Sequence, residues 1–277
     1  MRLVTFRHGR TTRLGALEDG LVRPLTSALN NSCEQLAALA DAHEGRLRPA
    51  AVGVPAEDVL LLAPVPRPGK LICIGLNYHD HAAEVGMAPP ETPICFAKFS
   101  SCVIGPHEPV PIPPGSTQTD YEAELAFVVG RRARRVSAAN ARAHLLGWCC
   151  LNDVTARDFQ FADGQWTRGK SCEGFAPMGP WIATPATVPD PHVLGIRLRL
   201  NGATMQDSST ARLIFGVDEL LAFLSEHVTL EPGDVVSTGT PPGIGFARKP
   251  PVFLRPGDVM EVEVDGLGTL RNPVVGS

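Results

Sequence analysis

The chain has 277 residues, of which 44% are hydrophobic and 19% charged, with a formal net charge of -4. That length holds one large domain or a small one followed by a medium one, with enough apolar residues for a sizeable core. The charge leaves no electrostatic footprint for nucleic acid, and no apolar stretch is long enough to span a bilayer.

Leu3 to Phe6 and Thr12 to Leu17 read as short strands, with Glu18-Asp19-Gly20 as a hairpin turn. A helix follows from about Cys33 to Ala42, with Leu36, Leu39 and Ala40 on one face. Met1 to Gly9 shows neither an apolar leader core nor a cleavage site, so a soluble, cytoplasmic protein is expected. The proline-dense stretch Ala63 to Gly69 reads as a linker. It divides the chain into a small α+β N-terminal domain, residues 1–65, and a larger domain, residues 66–277.

The larger part is mainly β with some α. Strand-like runs are Lys70 to Ile74, Tyr121 to Val129, Trp148 to Val154, Gly195 to Asn201, Asp234 to Gly239 and Asp258 to Val264. Helices are expected at Ser137 to Leu146, capped by Ser137, and at Val217 to Glu226. Strands without regular βαβ alternation argue against a doubly wound fold. The seven cysteines are odd in number and form no CxxC, so reduced thiols are expected rather than a disulfide framework or a zinc ribbon.

Three groups of residues carry chemistry. In Asn77 to Val85, a helical turn would place His81 and Glu84 at i and i+3, a carboxylate orienting an imidazole. A polar surface helix with an incidental histidine fits the same letters. Arginine supplies nearly all the positive charge, and lysine stands only at Lys70, Lys98, Lys170 and Lys249. A chain that writes arginine by default holds a lysine where a compact ammonium is needed, and Lys98 and Lys170 are the candidates.

The third group is acidic. In the strand from Tyr121 to Val129, Ala123, Leu125, Phe127 and Val129 point to one side and Glu122 and Glu124 to the other. Two residues of strand rise separate these carboxylates by roughly 6.5 Å. At that distance they repel by about 2.5 kcal/mol, which a bridging divalent cation would reverse. Asp153 ends a nearly uncharged apolar run and needs a cation, a proton or several donors. Three carboxylates with no His or Cys beside them form a hard oxygen site suited to Mg²⁺, Mn²⁺ or Ca²⁺. The alternative leaves Glu122 and Glu124 in solvent and pairs Asp153 with Arg157.

Ordered blocks then point to a family. They are the Gly-Leu-Asn-Tyr run ending at His81 to Glu84, Phe96-Ala97-Lys98, Tyr121 to Leu125, Asn152 to Asp158, Gly169-Lys170-Ser171, Thr238 to Pro241 and Gly257-Asp258. From Lys70 to Val274 this order resembles the fumarylacetoacetate hydrolase family. The resemblance implies a mixed β-sandwich roll behind a small N-terminal domain, and a homodimer. It implies Mg²⁺ or Mn²⁺ held by Glu122, Glu124 and Asp153, with His81, Glu84 and Lys170 as catalytic residues. It also assigns Tyr78, Lys98, Arg157, Gln160 and Thr240 to a small 2-oxo or 2,4-dioxo acid substrate. The expected activity is hydrolysis of a carbon–carbon bond in an acylpyruvate; the alternative is oxaloacetate decarboxylation or hydroxymuconate-type isomerisation.

Overall fold

The computed structural model describes residues 1–276. A large mixed sheet forms the frame. Its path runs Val54–Pro55, Leu21–Pro24, Thr11–Glu18, Arg2–His8, Ala176–Ala183, Leu145–Asn152, Ala123–Val129, Val235–Ser237, Leu71–Gly75 and Ile94–Lys98. A second, five-stranded sheet runs Ala203–Ser209, Gly195–Leu200, Val259–Val264, Gly268–Val275 and Val110–Pro111. The sheets meet where Gly268–Val275 packs on Ala176–Ala183 and Val259–Val264 on Leu145–Asn152. In the smaller sheet Ile196, Leu198, Leu200, Met260, Val262 and Val264 alternate inward, which gives its strands one apolar face. The chain therefore has a small N-terminal domain and a larger mixed β domain with few helices.

The central strands depart from simple alternation. Every residue of Ala123–Val129 and of Leu145–Asn152 is buried, so both faces of each strand are covered. Close packing here requires a glycine: a Cβ on Gly147, at φ 156°, would lie 2.1 Å from the Ala183 carbonyl oxygen.

At the N-terminus, Asp19 and Gly20 both take positive φ, as a two-residue hairpin turn demands. The helix Ser32–His43 is capped by Asn31, whose side chain accepts from the Glu34 amide at 3.0 Å.

Two local expectations fail. Ser137 makes no side-chain cap bond, and Ala138–His144 is a 3₁₀ segment that ends early because Leu145 and Leu146 enter a buried strand. The proline-dense stretch is no loose linker: Ala63 and Val65 are buried, and the Pro64 carbonyl accepts from Thr5 Oγ1 at 2.8 Å and Gln35 Nε2 at 3.0 Å. The sheet itself crosses the junction, with Arg2 opposite Ala183 and Leu3 opposite Ile182. No helix among the described residues is long and apolar enough to cross a membrane.

Candidate active site

Strand register assembles the acidic group. Ala123 pairs with Asn152 and Glu124 with Leu151, so Glu122 and Asp153 emerge side by side where the two strands end. The Asp153 amide donates to the Glu122 carbonyl at 2.9 Å, and the Glu122 amide to Asn152 Oδ1 at 3.0 Å. Carboxylate oxygens of Glu122, Glu124 and Asp153 then lie within 4.8 Å of one another, all buried. A solvent-facing placement of the glutamates is ruled out.

Buried carboxylates this close need cations. Lys170, closing the short helix Thr167–Lys170, places Nζ 2.6 Å from Glu122 Oε2 and 2.7 Å from Asp153 Oδ2. Lys98, closing the strand Ile94–Lys98, donates to Asp153 Oδ1 at 2.5 Å and to the Val154 carbonyl at 3.0 Å. Arg157 does not pair with Asp153. Its Nε and Nη2 donate to Asp120 Oδ2 at 2.9 and 2.8 Å, and Nη2 also to Glu122 Oε1 at 2.6 Å.

The acids are not equivalent. Burial pushes the Glu122 carboxyl up, but Lys170 and Arg157 outweigh it and hold the pKa at about 2. Glu124 is raised well above the ordinary carboxylate range by burial and then by the charges of Asp153 and Glu122. It accepts from Ser237 Oγ and from the Gly239 amide at 2.9 Å, and these bonds do not offset the repulsion. Its need for a positive neighbour, and the absence of nitrogen or sulfur donors in the trio, fit a hard divalent cation.

The dyad sits on the helix His79–Glu84. His81 Nδ1 is 2.8 Å from Glu84 Oε2, while Glu84 Oε1 accepts from the Gly243 amide at 2.8 Å. The carboxylate selects the tautomer protonated on Nδ1 and leaves Nε2 as the basic atom. Asn77 anchors the start of this helix, bonding the Thr238 carbonyl at 2.8 Å and both the amide and carbonyl of Phe215.

One cavity of about 400 Å³ brings together Glu122, Glu124, Asp153, Lys170, Arg157, Gln160, His81 and Thr240. Glu84 stands behind His81. Two expected substrate contacts do not reach this space. Lys98 is wholly buried behind Asp153, with its ammonium engaged there. Tyr78 is fully buried in the core at the start of the dyad helix, bridged to Leu213, and its hydroxyl has no hydrogen-bond partner among the described residues. Thr240 does line the cavity, but its hydroxyl donates to the Ala123 carbonyl at 2.9 Å, so that proton is not available to a substrate.

Sequence reasoning missed Asp120. This buried carboxylate accepts from Arg157, from the Tyr121 and Gly245 amides at 2.8 Å and from the Phe246 amide at 3.0 Å. The loop closes on it so tightly that a Cβ on Gly245 would lie 2.6 Å from Asp120 Oδ1. The signal was present: Asp120, Glu122 and Glu124 stand at two-residue spacing. Phe96, Phe161, Trp166 and Phe246, which line the apolar side of the cavity, carry no comparable mark in the sequence.

Comparison with known proteins finds matches along the chain. Residues 70–275 match the family described as fumarylacetoacetate (FAA) hydrolase C-terminal, and residues 1–64 match Rv2993c-like, N-terminal. A mitochondrial oxaloacetate tautomerase of Xenopus laevis is 47% identical over 220 residues, 79% of this chain and 69% of the relative. One of Homo sapiens is 40% identical over 275 residues, 99% of this chain and 86% of that protein. Among solved structures, a 2-hydroxyhepta-2,4-diene-1,7-dioate isomerase from Mycobacterium marinum is 33% identical with a TM-score of 0.85, over 100% of this chain and 99% of that one. A fumarylacetoacetate hydrolase from Exiguobacterium antarcticum is 36% identical with a TM-score of 0.87, over 100% of both chains.

Proposed function

The chain belongs to the fumarylacetoacetate hydrolase family, and on that premise we propose that it is a divalent-metal-dependent keto–enol tautomerase of short 2-oxo acids. The observation that carries the reading is the His81–Glu84 dyad, at 2.8 Å, on the wall of the cavity whose floor holds the three-carboxylate group.

In the reaction a proton leaves C3, its electron pair becomes the C2–C3 double bond, and the former carbonyl oxygen gains a proton. His81 Nε2 takes the proton from carbon, and Glu84 steadies the imidazolium that results. The same imidazolium returns the proton to the enolate oxygen, so the enzyme is unchanged. Lys170, kept protonated by Asp153 and Glu122 against the opposing effect of burial, places fixed positive charge beside the developing oxyanion. Arg157 and Gln160 orient the substrate carboxylate. Glu122, Glu124 and Asp153 would hold Mg²⁺ or Mn²⁺, which supplies the Lewis acidity that makes the C3 proton removable.

Carbon–carbon hydrolysis uses the same dyad to deprotonate water. The relatives named oxaloacetate tautomerase, at 40% and 47% identity, and the isomerase structure support proton transfer over that reading. A homodimer is part of the proposal, on family resemblance, and light scattering at micromolar concentration tests it.

The deciding experiment follows enol absorbance and pyruvate release together, with Mg²⁺, for oxaloacetate, phenylpyruvate and acetylpyruvate. We expect accelerated enol–keto exchange with no pyruvate release above the enzyme-free rate. Acetylpyruvate cleaved to pyruvate, with exchange of all three acids at the uncatalysed rate, would return the assignment to the hydrolase.

A further inference from the structure

Which 2-oxo acid is preferred depends on the side of the cavity opposite the floor. The cations that line the cavity are Arg157 and Lys170, beside His81, and both are already held by carboxylates at 2.6 to 2.9 Å. Around the mouth stand Val85, Met87, Ile94, Phe161 and Phe246, with the buried Ile244 behind them and no cation in the group. A second carboxylate on the substrate would give up part of its hydration against these side chains with no cation to pair it. An apolar group would meet surface that water now touches: Met87 is 57% exposed, Phe161 58% and Phe246 42%.

The aromatic residues are placed, not incidental. The rings of Phe161 and Phe246 lie 5.2 Å apart with their planes at 48°. Phe161 projects from the helix Arg157–Ala162, one turn beyond the arginine of the floor. Phe246 is positioned through its amide by Asp120, the carboxylate that also holds that arginine. Deeper in, Phe96 and Trp166 meet edge to face at 5.2 Å, and Lys170 Nζ stands 5.1 Å from the Phe96 ring. The polar floor thus gives way directly to an aromatic wall.

We propose that the substituent on C3 of the substrate is apolar, an aryl or branched alkyl group, and that Phe161 and Phe246 select it. This rests on the reading of the site as one for 2-oxo acids and names their class: monocarboxylates of the phenylpyruvate type, in preference to dicarboxylates of the oxaloacetate type.

Binding and turnover separate the two levels. Benzoylformate and oxomalonate have no C3 hydrogen and differ in carrying a phenyl group or a carboxylate on the 2-oxo acid, so their binding is measured without chemistry. In the presence of Mg²⁺, wild type should bind benzoylformate at least about tenfold more tightly than oxomalonate, the worth of a small apolar increment in a hydrophobic pocket. Phe161→Ala and Phe246→Ala should each erase most of that preference and leave oxomalonate binding within twofold. In turnover the same variants should raise KM for phenylpyruvate, with kcat little changed. Equal or tighter binding of oxomalonate by wild type, or equal loss of both ligands in the variants, overturns the selection by the wall. Tight benzoylformate binding with no enol exchange of phenylpyruvate leaves the selection standing and overturns the tautomerase.

Discussion

The floor and the wall of the cavity are built by opposite rules. On the floor, Asp120, Glu122, Glu124 and Asp153 face Lys98, Lys170 and Arg157, and each of these side chains is nearly or wholly buried. On the wall, Met87, Phe161 and Phe246 expose apolar surface to water. Neither arrangement serves stability well. Buried ion pairs often contribute less than apolar residues of the same volume, and exposed aromatic rings gain little from folding. Their joint presence around one cavity is the ground for proposing a ligand with an anionic end and an apolar end. The difference also separates two kinds of evolutionary freedom. A floor in which every charge depends on its neighbours resists piecemeal change, while a wall of independent side chains can be resized. That fits a family whose members bear names as different as hydrolase, isomerase and tautomerase on one scaffold.

The contrast can be broken first by chelation. EDTA should abolish enol exchange, and Mg²⁺ or Mn²⁺ should restore it; unchanged turnover in metal-free buffer would remove the cation from the floor. Glu124 adds a sign to this test. Its pKa is raised, so without a cation it keeps a proton below that raised value, and a cation must displace the proton to bind. Cation affinity should therefore increase with pH and level off once Glu124 is ionised. Titration calorimetry in buffers of different ionisation enthalpy should show proton release, and heats that do not depend on the buffer would contradict it.

Asp153→Ala comes next. It strands Lys98 and Lys170 without their shared carboxylate, and the loss should be roughly 3–5 kcal/mol of stability by urea unfolding. His81→Ala, by contrast, should lower kcat for enol exchange by about 10²- to 10⁴-fold, with Glu84→Gln following more weakly. Its urea midpoint should barely move; a large shift would make the dyad a structural pair. The smallest effect belongs to the wall. Met87→Ala, at an exposed position, should change stability by no more than about 0.5 kcal/mol. A loss there comparable with Asp153→Ala would erase the distinction between the two regions.

The floor was far more legible in the sequence than the wall. Glu122, Glu124 and Asp153 stand out because ionised groups inside apolar runs demand partners, and the rarity of lysine pointed to Lys98 and Lys170. What spacing could not show was the pairing. Arg157 turned to Asp120 and Glu122 because strand register carries those acids towards the arginine's helix, while the lysines reach Asp153. The wall escaped notice because a phenylalanine in a core and one at a cavity mouth read alike. Fold was legible where patterns were local, as in the helix Val217–His227 and the strand Gly195–Leu200. It was lost where a long-range contact decided, as at the 3₁₀ segment Ala138–His144, cut short by a buried strand.

The pairing of Arg2 and Leu3 with Ala183 and Ile182 has a practical consequence. The start of Ala176–Ala183 pairs with Val103–Ile104, and its last two residues pair with the N-terminal strand. Trimming residues 1–65 would bare a row of amide and carbonyl groups beside an apolar interior, a ready template for another chain. A shortened catalytic domain with every site residue intact should aggregate in the test tube long before its chemistry could be assayed.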